Sequence, residues 1–148
     1  MLKSIHLLGA FIFLGNIIVS ALWKVMADRT KNTSVIQYAC RLVNITDIIF
    51  TGLGATLLLV SGHVLAVPFG GISAQQWILQ SYILFVISGI IWIATLVPIQ
   101  IKQTKLTKNL NETEAIPEQY YKLARLWSVL GTIATIVPIP AIFIMINK

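Results

Sequence analysis

The chain has 148 residues, 57% of them hydrophobic and 11% charged, more apolar surface than the interior of one small soluble domain can hold. This composition excludes a soluble globular enzyme and marks a membrane protein. One cysteine, Cys40, excludes disulfides within the chain.

The apolar residues fall in four runs, about 4–23, 42–66, 77–101 and 123–146. Each is near the ~20 residues that cross a ~30 Å hydrocarbon core as a helix. The expected fold is all-α: an up-down-up-down transmembrane four-helix bundle, with residues 1–148 forming one transmembrane domain. No room remains for a soluble catalytic domain, so any chemistry lies between helices or at the two faces.

In the first run Lys3 precedes the apolar stretch, and Val19, Ser20 and Ala21 resemble a signal cleavage site. The run is long enough to span, Trp23 and Lys24 close it like an interfacial anchor, and three more spans follow, so it reads as a retained span. A polar loop from Ala27 to Tyr38 leads to the second run, which Pro68, Gly70 and Gly71 end. Trp77 opens the third run at the interface. The long loop from Gln103 to Gln119 ends with Pro117 and Glu118, which suit the first turn of a fourth helix. Trp23, Trp77 and Trp127 read as interfacial anchors, and Cys40 as a small interfacial residue.

The formal net charge of +6 would suggest nucleic acid in a soluble protein. Here nine of the eleven basic residues flank loops one and three, and only Lys3 and Lys148 lie at the termini. The middle loop, from His63 to Gln76, carries no formal charge. The positive-inside tendency therefore places loops one and three in the cytoplasm and both termini outside, in a bacterial cytoplasmic (inner) membrane. Anionic lipids are the expected partners of the basic face, at ~1 kcal/mol per basic residue. A quinone or redox partner and a homo-oligomer are further candidate partners; nucleic acid is not.

Small and polar residues mark a packing stripe on each helix, because apolar side chains gain nothing by leaving lipid. On the first helix the stripe is His6, Gly9, Ala10, Phe13, Asn16, Ser20 and Lys24, and on the second Asn44, Asp47, Thr51, Gly54, Leu58 and Ser61. The third offers Ser81, Phe85, Ser88, Trp92 and Thr95, the fourth Arg125, Ser128, Thr132 and Thr135. Within these stripes Asn16, Asn44, Asp47 and Thr51 form a candidate buried polar cluster. A carboxylate at the depth of Asp47 costs ~2.5–3.5 kcal/mol unless paired, protonated or hydrated. Asn16 reaches similar depth on the neighbouring helix, so a bond between the two is expected. The cluster is read either as a clamp on the first hairpin or as a proton or ion site.

His6, one turn inside the terminal end of the first helix, can ligate a metal or haem iron. His63 reaches the same depth, but sixteen residues at 100° each turn it about 160° from the Asp47 face, so it is at most a second ligand. No paired cysteines, histidine cluster, phosphate loop or nucleophile motif is present.

His6, Leu7, Leu8 and Gly9, then Gly15 and Asn16, Trp23 and Lys24, Ala27 to Thr30, Arg41 to Asn44, Thr46 and Asp47, and Phe50 and Thr51 resemble a family of small bacterial integral membrane proteins. With Ile91, Trp92, Pro98 and Gln100 the resemblance spans nearly the whole chain. The family is known only as a domain of unknown function, DUF2269, and implies no activity. His6, the Arg41 and Leu42 start of helix two, and Ser61 and Gly62 near its end are more distantly similar to HemJ-type and CopD-type four-helix membrane proteins. That resemblance implies a haem b ligand at His6. The HemJ-type pattern also has a lysine in the third span, where this chain has Gln80 and Ser81. Two functions are expected as alternatives. One is a haem-dependent membrane oxidoreductase using His6, with His63 as second ligand. The other is a non-catalytic partner subunit or a small-solute, proton-linked transport protein using Asn16 and Asp47.

Overall fold

A computed structural model describes residues 1–148. Four long helices account for nearly all of it: α1 (Leu2–Thr30), α2 (Thr33–Phe69), α3 (Gln76–Thr107) and α4 (Glu118–Ile146), each long and apolar enough to cross a membrane. Short connections make sequential neighbours antiparallel, so the four form an up-down-up-down bundle.

The helices run further than the apolar pattern implied. The expected loop from Ala27 to Tyr38 shrinks to Lys31 and Asn32, because Lys31 takes a left-handed conformation (φ 53°) and Asn32 accepts a bond from Val35 N at 3.1 Å. At 1.5 Å per residue the 37 residues of α2 span about 55 Å, so α2 extends well past a ~30 Å hydrocarbon layer. The extension docks on the loop after α3: Gln37 Nε2 donates to the carbonyls of Thr107 (2.6 Å) and Leu110 (2.8 Å), and Thr33 Oγ1 to that of Glu114 (2.7 Å). At the opposite end Gly70 and Gly71 turn the chain with φ of 88° and 97°, which β-carbon-bearing residues resist.

Packing of α1 on α2 is backbone to backbone. A Cβ on Gly54 would sit 2.7 Å from the Phe13 nitrogen, and one on Gly9 would sit 2.9 Å from Leu57 Cβ. Where lipid offers no hydrophobic drive, such close approach supplies the contact. Large apolar side chains point outward instead, Phe11, Ile48, Ile93 and Val129 among them.

Two helices each contain one wide turn. In α2 the Gly52 N–H donates to the Asp47 carbonyl, and in α3 the Val97 N–H donates to the Trp92 carbonyl, both one residue longer than an α-turn. The α3 turn lies just before Pro98, which lacks an N–H and crowds the carbonyl four residues back. α4 breaks at Val137 and Pro138 for the same reason.

Three expectations about facing residues are corrected. On α4 Arg125 and Thr132 are exposed, and the buried positions are Tyr120, Ala124, Trp127 and Ala134, one residue round the helix. Ser128, Thr132 and Thr135 donate to carbonyls four residues back on their own helix, so burial was not needed to satisfy them. Trp127 is a core residue rather than an anchor, packed with Val43, Leu96 and Ile99. Cys40 is buried rather than interfacial, and Lys24 is buried as its place on the packing stripe implied instead of anchoring at the interface.

Candidate functional site

Three polar groupings lie along the bundle. At the end bearing loops one and three, Lys24 is 1% exposed. Its Nζ donates to Asp28 Oδ1 (2.9 Å), Asp28 Oδ2 (2.8 Å) and Tyr120 Oη (2.5 Å), which uses all three ammonium protons. Tyr120 Oη donates in turn to Asp28 Oδ1 at 2.5 Å, and Cys40 Sγ lies 3.5 Å from the same hydroxyl. Lys24 Nζ also stands 4.7 Å from the Tyr120 ring centroid. This group ties α1, α2 and α4 together and is internally complete.

Deeper in the bundle, Asn16 Nδ2 donates to Asp47 Oδ1 and to Thr51 Oγ1, each at 2.9 Å. Gln100 Nε2 donates to Asp47 Oδ2 at 2.7 Å, and Thr51 Oγ1 lies 3.5 Å from Asp47 Oδ1. Asp47 is 5% exposed, and no Lys, Arg or His forms a salt bridge with it. Asn16, Asp47 and Thr51 therefore come together as anticipated. Asn44 does not join them: its Nδ2 donates to Thr104 Oγ1 at 2.9 Å, a separate link between α2 and α3.

Gln100, the second amide on Asp47, was absent from the sequence stripe on α3. Stepping two ordinary turns from Trp92 reaches Ile99, whereas the wide turn adds one residue and brings Gln100 round as well. A proline six residues after a tryptophan inside an apolar run was the available signal.

Beside Asp47 lies a cavity of about 310 Å³, bounded by α1, α2, α3 and α4. Phe13, Trp92 and Trp127 supply aromatic walls, and Asp47 is the one ionisable side chain among its lining residues. Trp127 Nε1 and Trp92 Nε1 are buried without a hydrogen-bond acceptor; Trp92 Nε1 lies near Asp47 but without ordinary hydrogen-bond geometry.

Near the termini, Ser61 Oγ donates its one proton to the Leu57 carbonyl. The same Ser61 Oγ lies 2.9 Å from His6 Nδ1, which ties the imidazole of α1 to α2. His6 lines an apolar cavity of about 200 Å³ with Phe13, Phe85 and Gly62. His63, expected about 160° from the Asp47 face, is exposed yet borders the same cavity. The wide turn at Asp47 inserts one residue, which rotates later positions by about 100°. No group of three or more His, Cys, Asp or Glu side chains is placed to hold a metal ion.

A family model described as predicted integral membrane protein (DUF2269) matches residues 1–148. No curated protein and no solved structure matches the chain.

Proposed function

The chain belongs to the DUF2269 family of integral membrane proteins, and from that premise we propose that it binds a proton and a small solute at Asp47, as a proton-linked transport protein does. One observation carries this reading. Asp47 is 5% exposed, has no cationic partner, is held by neutral donors on both oxygens, and borders a cavity of about 310 Å³. A structural clamp needs no such space, and an intramembrane carboxylate without a counter-ion has the proton as its natural neutralising partner. The basic end is assigned to the cytoplasm of a bacterial inner membrane, facing anionic lipids, from the distribution of Lys and Arg.

Proteoliposomes holding a pH-sensitive dye test the reading. Purified protein should carry proton flux, and Asp47→Asn, which keeps the shape and one acceptor oxygen, should abolish it while the bundle still folds. Flux unchanged in Asp47→Asn overturns the proposal.

A second reading, haem b held by His6 with His63, has its own support in the cavity that both rings border. That cavity, about 200 Å³, is below the ~300–1,000 Å³ of pockets that enclose drug-sized ligands, so a haem would extend beyond it. A Soret band weakened in His6→Ala would put this reading, and an oxidoreductase, in front.

A further inference from the structure

The cavity beside Asp47 has a largely apolar wall, and its hydroxyl groups face it chiefly as acceptors. Ser20 Oγ donates to the Ile17 carbonyl (3.3 Å), Ser88 Oγ to that of Ala134 (2.6 Å), Ser128 Oγ to that of Ala124 (2.9 Å) and Thr135 Oγ1 to that of Gly131 (2.8 Å). A hydroxyl has one proton, so each of these offers only lone pairs to the space they all line. Asp47 adds a carboxylate, and the rings of Trp92, Trp127 and Phe13 add π-faces that attract positive charge. No basic side chain lines the cavity. Lys24 Nζ is 6.0 Å from the Trp127 ring centroid, but its three protons are held by Asp28 and Tyr120 and its charge is balanced there. Toward the loop-one and loop-three end of the bounding helices, the charged groups include this closed Lys24 and Asp28 pair and the exposed Arg29, Arg41, Lys102, Lys105, Lys122 and Arg125, none of which lines the cavity.

An anion entering this space would meet the Asp47 carboxylate as a like charge, whereas a cation would neutralise that carboxylate as the proton does. We infer that the solute is a small organic ammonium ion, which takes the place of the proton on Asp47. The inference rests on the proton-site reading above. The indole N–H of Trp127, a residue 5% exposed, has no acceptor in the protein and is available to an oxygen carried by the solute or to a water that enters with it. The exchange balances simply: the protonated acid releases H⁺ to solvent, the carboxylate remains, and a monovalent cation pairs with it. Proton and cation exclude each other because both neutralise one charge.

Tetramethylammonium chloride added to purified full-length protein in weakly buffered detergent solution tests this by proton release. Wild type should release protons saturably, and apparent affinity should weaken about tenfold for each pH unit below the titration of Asp47. Asp47→Asn should release none. Asp47→Asn that keeps the helical circular dichroism and the gel-filtration profile of wild type excludes misfolding as the cause of a lost release. Asp47-dependent proton binding that sodium acetate displaces as well as tetramethylammonium does, or that no cation displaces, overturns the ammonium inference and leaves the proton site standing. Proton binding indifferent to Asp47→Asn overturns both.

Discussion

Lys24 lies at the end of an apolar run beside Trp23, where a lysine ordinarily extends its ammonium to the interface. Its side chain is 2% exposed because Asp28, one turn on, and Tyr120, ninety-six residues on, supply acceptors inside the bundle. Removing one member of such a buried pair leaves the other charge uncompensated, a cost of about 3–5 kcal/mol, whereas removing both is far cheaper. Lys24→Met should therefore lower the thermal unfolding temperature of detergent-solubilised protein strongly, and Lys24→Met with Asp28→Leu should recover most of the loss. Equal destabilisation by the single and double variants would show that the charges contribute only packing. The sequence spacing of Lys24 and Asp28 hinted at the ion pair. Tyr120 was beyond its reach, since nothing local to Lys24 says which residue of a distant helix will face it.

At the scale of the helix, the contact between α1 and α2 depends on two glycines that the small-residue stripes marked in advance, Gly9 and Gly54. A methyl group on Gly54 meets the Phe13 nitrogen at 2.7 Å and its Cα at 2.9 Å, backbone atoms that cannot turn aside. Gly54→Ala gains ~0.5–1 kcal/mol of helix propensity but costs about 1–3 kcal/mol in overpacking, so the net effect is loss. Gly15 has nothing within 4 Å of the equivalent position, so Gly15→Ala should be neutral or stabilising. Chemical denaturation of the two variants side by side checks the sign; equal behaviour would mean the helices separate at little cost. The wide turn at Asp47 was not legible, and the one at Trp92 was signalled only by Pro98. A uniform step of 100° per residue misses an inserted residue, and every position after it on the helix is turned from where periodicity puts it.

For the whole molecule, the nine-to-two distribution of basic residues predicts both termini outside the cytoplasm. A reporter active only in the cytoplasm should be silent when fused to Lys148 and active when inserted within the loop between Thr107 and Glu118. Activity at the terminus alone would reverse the orientation.

Sequence by itself determined that the chain forms four membrane-crossing helices, because a hydrocarbon layer requires long apolar runs with every backbone group satisfied within the helix. It also determined the pairing of Asn16 with Asp47, since both lie a similar number of residues inside the turn that joins α1 to α2. Tertiary structure alone decided which face of α4 looks inward, that Gln100 completes the cradle of Asp47, and that a cavity lies beside it. Hydroxyls that satisfy themselves on their own helix carry no signal of facing. A space between helices belongs to no single stretch of chain.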